Sequence, residues 1–143
     1  MSIKKNQRVL VVAGNYEIVE CVQEGLPASQ FDVENAFNHR DAIYMFNRQQ
    51  YDAFVIDASM ADRHGGELTM LALKEIGEGL PMIAIGLDED SARRAYHVAD
   101  SVITSLDRVA IMRAVSSSLR IQMKETSEIR MGGMSYSSFS RQA

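Results

Sequence analysis

The sequence is short of cysteine, of long apolar runs, of positive charge and of glycine-rich loops, and each shortage removes a class of function. Cys21 is the only cysteine among 143 residues. It can form neither an internal disulfide nor a thiolate metal site, and it reads as a buried or half-buried structural thiol. The first residues, MSIKKNQ, are basic but lead into only five apolar residues, Val9 to Ala13. That run is too short for a signal-peptide core or a membrane span, so the expected location is the cytoplasm, with no membrane partner. The formal net charge is −4, which argues against a generic nucleic-acid binder. Neither G-x-G-x-x-G nor a Walker loop occurs, so dinucleotide and nucleotide enzymes lack support.

What is present is the composition of one globular domain, 46% hydrophobic and 24% charged. A chain of this length buries about two-thirds of its unfolded surface and needs no disulfide or metal to hold it. Three short, non-alternating apolar runs stand out: VLVVA (9–13), AFVI (53–56) and MIAIG (82–86). Runs of this kind suit strands buried on both faces. FDVENA (31–36), with Phe31, Val33 and Asn35 on one face, and SVIT (101–104) are weaker strands.

Helix-period segments lie between them. Ile18, Val19, Val22 and Leu26 mark one over 16–26, and Ala42, Ile43 and Phe46 mark another over 39–49 with Asn38 as its N-cap. Leu68, Leu71, Ala72 and Ile76 predict the core stripe of a third, over 66–76, stopped at Gly77. Ala92, Ala95, Tyr96 and Ala99 predict the inner face of a fourth over 90–99, capped by Asp90. A fifth starts at Asp107 and carries Ile111, Met112, Val115 and Leu119. Strand and helix alternate five times, which implies a parallel sheet covered on both faces. Chemistry in such folds gathers at the carboxyl ends of the strands. The expected organisation is an N-terminal extension (1–6), one domain (7–122), and a helix extension with a Gly/Ser-rich flexible tail (123–143).

At the end of the third strand, YDAFVIDASMADRHGGEL places Asp57, Met60, Ala61, Gly65, Glu67 and Leu68 at offsets 0, +3, +4, +8, +10 and +11. With Pro in place of Ala61 this is the pattern around the phosphoacceptor of a bacterial receiver domain, the input module of two-component response regulators. The chain resembles that family over residues 7–120 or so. The resemblance implies a flavodoxin-like, doubly wound (βα)5 fold with strand order 2-1-3-4-5. It also makes Asp57 the residue that takes a phosphoryl group from a kinase phosphohistidine. Magnesium would be held there by Asp57, by an acid after the first strand and by the backbone carbonyl of Ser59.

The other positions of that site depart from the pattern. Ala13 and Gly14 stand where the family has a pair of acids, and Gly86 stands where it has a Thr or Ser. Ser105 and Leu106 replace Lys and Pro, and Val102 replaces the aromatic that swings on activation. A divalent ion and a carboxylate about 4 Å apart attract by roughly 8 kcal/mol gross at an effective dielectric near 20, so losing both acids costs orders of magnitude in metal affinity. Ser105 supplies no positive charge and Gly86 no hydroxyl. The expectation is therefore no cofactor, with magnesium binding weak or absent.

Asp57 has two readings: a residual phosphoacceptor, or an acid that bonds loop amides at a strand end. Gly65 and Gly66 read as turn and close-packing residues, and Met60 as a gap-filler. Asp62, Asp88, Glu89 and Asp90 are loop acids at the same sheet end, and His39, His64 and His97 read as surface histidines. DRHGGE differs from the cobalamin motif Asp-x-His-x-x-Gly at Glu67. The family's partner face, the fourth helix, fifth strand and fifth helix, would carry Arg93, Arg94, His97, Val98, Ser101, Arg108 and Arg113. The reading that follows is an atypical single-domain response regulator. It would work through a protein partner, either a histidine kinase or another signalling protein, or through a homodimer on that face. It would not be an enzyme. A conventional receiver phosphorylated at Asp57 and a small flavodoxin-like cofactor binder are the alternatives.

Overall fold

The computed structural model describes residues 6–60 and 65–130, with side chains described up to residue 120. The order is β1 (Gln7–Val12), α1 (Tyr16–Gly25), β2 (Phe31–Ala36), α2 (His39–Arg48), β3 (Ala53–Asp57), α3 (Gly65–Ile76), β4 (Met82–Ile85), α4 (Glu89–Ala95), β5 (Ser101–Ile103) and α5 (Arg108–Arg130). All strands are parallel, and the sheet order is β2-β1-β3-β4-β5. This is the expected flavodoxin-like doubly wound arrangement.

The apolar runs are buried on both sides because side chains alternate across the sheet. Val9, Val11, Val55, Ile83 and Ile85 face α1 and α5, where Ile18, Val22, Ile111 and Val115 cover them. Leu10, Val12, Phe54, Ile56 and Met82 face the other layer and meet Ala42, Met70, Leu73 and Ala95. At the edge, Asn35 turns its amide back over β1 and donates to the carbonyls of Val11 (3.0 Å) and Ala13 (3.3 Å).

Two helices, α3 and α4, differ from the sequence reading. The stripe Leu68, Leu71, Ala72, Ile76 is not the core face of α3: Leu68, Leu71 and Ile76 are 50%, 49% and 44% exposed. The buried side is Gly66, Thr69, Met70 and Leu73, and the chain runs on to buried Gly77. The two glycines decide this. A Cβ on Gly66 would lie 2.3 Å from the Ala58 carbonyl oxygen, and one on Gly77 would lie 2.9 Å from the Phe54 ring. Only the glycine side can approach the sheet this closely. In α4 the cap is Asp88 rather than Asp90, and the helix ends by Ala95, which leaves Tyr96 63% exposed. The Asp88 carboxylate accepts from the Ser91 N–H and hydroxyl, both at 2.8 Å. α5 continues through Arg130, so residues 120–129 extend the helix. The expected tail over residues 131–143 lies outside the described residues.

Candidate functional site

The site is built from the carboxyl ends of β1, β3, β4 and β5. β3 carries Asp57 to its end as a 5%-exposed side chain, because the strand is central and flanked by β1 and β4. Its Oδ1 accepts from the Ser59 N–H at 2.9 Å and from the Ser59 hydroxyl at 2.8 Å. The Asp57 carbonyl accepts from the Met60 N–H at 3.2 Å, which closes a tight turn. These are the loop bonds of a structural strand-end acid, and they also hold a carboxylate at the sheet's mouth.

The glycines that follow serve shape. Gly65 has φ of +75°, a left-handed conformation that favours glycine, and Gly66 seats α3 on the Ala58 carbonyl. Met60 is buried. The Thr69 hydroxyl donates to the Gly65 carbonyl at 2.9 Å and lies 2.9 Å from His39 Nδ1. With its proton given to Gly65, Thr69 accepts from His39. That histidine therefore ties α2 to α3 and is half-buried, where a surface histidine was expected. Nothing in its spacing announced a partner thirty positions away. His97 is exposed, and Asp62 and His64 lie outside the described residues.

The remaining strand ends bring little chemistry to Asp57. Ala13 is buried and its carbonyl is engaged by Asn35, a residue the sequence reading gave no role at the site. Gly14 is exposed. Gly86 is buried, and a Cβ there would lie 2.7 Å from Ala92 Cα and 2.8 Å from Ala92 N. The backbone of α4 already fills the space a side chain at 86 would need. Val102 sits half-buried opposite Ala84 and packs with the α2–α4 layer. Leu106 packs with the α1–α5 layer, and Ser105 is exposed. Among the described residues no three His, Cys, Asp or Glu side chains converge. One carboxylate with a serine hydroxyl is not a donor set that suits magnesium, which demands several oxygens in octahedral array.

The loop acids have local partners. Asp88 caps α4, and its carboxyl is held below the usual range by the Ser91 N–H and hydroxyl. Asp90 pairs with both Arg93 and Arg94. Two of the proposed partner-face arginines line separate clefts. Arg94 lines a cleft between α3 and α4. Arg108 lines a different one with Cys21 and Ser105, and lies 3.8 Å from Glu24 on α1. Arg113 is exposed, and Val98 and Ser101 are half-buried. Cys21 is half-buried as expected, and burial pushes its thiol up.

No protein-family model matches the sequence, and no curated protein does. Solved structures do match. A CheY-like response regulator receiver domain protein from Methanospirillum hungatei aligns with a TM-score of 0.74 at 16% identity, over 85% of this chain and 99% of its own. The signal receiver domain of an HD domain-containing protein from Pseudomonas fluorescens gives 0.76 at 14%, over 89% and 96%. The chemotaxis protein CheY4 of Vibrio cholerae gives 0.69 at 16%, over 80% and 99%. The five-stranded parallel sheet, its 2-1-3-4-5 order and these alignments agree: the chain has the fold of the response regulator receiver domains.

Proposed function

We propose that this chain is an atypical single-domain response regulator that signals through protein–protein contact, largely without phosphorylation of Asp57. The observation that carries this reading is the contact at Gly86. The position where receivers keep a hydroxyl to read the phosphoryl group is closed by the backbone of Ala92. The acid pair is replaced by Ala13 and Gly14 and the lysine by Ser105, so a transferred phosphoryl group would meet neither a strong metal site nor a fixed cation. Magnesium binding is weak or absent on this reading. The module acts in the cytoplasm on a histidine kinase or another signalling protein, and it is not an enzyme.

The second reading, a working receiver phosphorylated at Asp57, is favoured by one feature. The carboxylate stands at the right strand end, held by Ser59. The two readings part on one experiment. The full chain is mixed with magnesium and beryllofluoride and followed by amide NMR, and in parallel with magnesium and a small phosphodonor, followed by intact mass. The expected result is no change. A magnesium-dependent change that disappears in Asp57→Asn would establish the second reading and remove the first.

A further inference from the structure

The outward turn of α3 leaves Leu68 and Leu71 half exposed on one wall of a cleft. Met60 is buried at its base, and α4 forms the other wall through Ser91 and Arg94. The cleft encloses about 460 Å³. Among the described residues of this rim, four acids (Glu67, Asp88, Glu89 and Asp90) stand against two arginines (Arg93 and Arg94). Arg94 is already bound to Asp90 at 3.1 Å, and the same carboxylate holds Arg93. Glu67 and Asp88 line the cleft and Glu89 follows in the chain; Asp88 is bonded to Ser91 and attracted by Arg94, and none of the three makes an ion pair within 4 Å with a described residue.

We infer that the α3–α4 cleft docks a basic amphipathic helix of a partner protein. The helix would set its apolar face on Leu68 and Leu71 and its Lys or Arg side chains against Glu67, Asp88 and Glu89. A groove with exposed leucines on one wall and a charged rim is a geometry that takes one helix. The excess of acids over arginines among the described rim residues sets the sign of the ligand's charge. A second copy of this chain is a poor occupant, since it brings a formal charge of −4 to an acidic rim. The inference names the partner class for the docking module proposed above and rests on that reading.

The probe is a synthetic Leu/Lys amphipathic peptide of about four helical turns, roughly 15 residues, with a Leu/Glu peptide of the same pattern as control. Both are titrated into the 15N-labelled full chain. The expected result is amide shifts confined to residues 65–72 and 88–95 with the Leu/Lys peptide and none with the Leu/Glu peptide. Leu71→Glu and Glu67→Lys should each weaken binding by about tenfold, roughly 1.4 kcal/mol. Val109→Glu, an exposed apolar position on α5, should leave it unchanged. Shifts centred elsewhere, equal shifts from both peptides, no shifts, or undiminished affinity in Leu71→Glu would each overturn the assignment. If it fails while beryllofluoride still leaves the spectrum unchanged, the partner class falls and the phosphorylation-independent reading stands. A beryllofluoride response lost in Asp57→Asn removes that reading whatever the peptide does.

Discussion

On the proposed reading, Gly86→Thr would put a hydroxyl at the end of β4, and it should destabilise this chain. The new Cβ would lie 2.7 Å, 2.8 Å and 3.0 Å from the Cα, N and Cβ of Ala92. Carbon atoms pack at about 3.5–4.0 Å, so α4 would have to retreat by about 1 Å. It is not free to do so. Ala92 donates to the Asp88 carbonyl at 3.0 Å, accepts from Tyr96 at 3.1 Å and belongs to the turn that Asp88 caps. Overpacking against backbone that cannot yield costs about 1–3 kcal/mol. In urea, with a slope of about 1–3 kcal/mol/M, the unfolding midpoint should fall by roughly 1 M at unchanged slope. Gly14→Asp is the matched comparison. Its Cβ meets only the Phe37 carbonyl oxygen at 3.2 Å, at an exposed position, and the neighbour needs to give by a few tenths of an ångström. That variant should stay within about 0.5 kcal/mol of the parent, as surface changes do. Equal stability of Gly86→Thr and the parent, or equal damage from both variants, would refute the claim that α4 closes the site.

Other expectations follow from the same contacts. Leu71→Glu should unfold within about 0.5 kcal/mol of the parent, while Leu73→Ala, two positions on, should lose about 2–5 kcal/mol by calorimetry or urea. The reverse order would restore the sequence's choice of core face. Tyr51 is 5% exposed and donates to Glu34 at 2.7 Å; Tyr51→Phe should cost about 1 kcal/mol at neutral pH. Burial, then the Glu34 bond, pushes the Tyr51 phenol well above its ordinary value of 10. Its contribution is therefore complete below pH 10 and is lost as pH rises past that, because the unfolded chain ionises first. The parent should lose stability above pH 10 more steeply than Tyr51→Phe, and parallel curves in urea would contradict this. The Asp88 carboxyl is lowered by the Ser91 bonds, so its cap contributes above the ordinary value of 3.8 and fades as pH falls below it. Helix loss on acidification, followed by circular dichroism, should be blunted in Asp88→Asn.

The sequence by itself determined the strands and the order of elements. VLVVA, AFVI and MIAIG are runs that suit a sheet covered on both faces, and Asp57 ends the central one. It also showed which chemical partners Asp57 lacks, because a missing carboxylate, lysine or hydroxyl is visible without coordinates. What the tertiary structure alone decided was orientation and closeness. Helical periodicity supports both the leucine stripe of α3 and the Gly66–Thr69–Leu73–Gly77 side, and contact distances to Ala58 and Phe54 chose between them. The same holds for the His39–Thr69 bond, the arginines already claimed by Asp90 and Glu24, and the space denied to residue 86. Composition and period record what each residue is; close packing between elements distant in sequence fixes what it touches, and at this site that sets which missing groups could be put back.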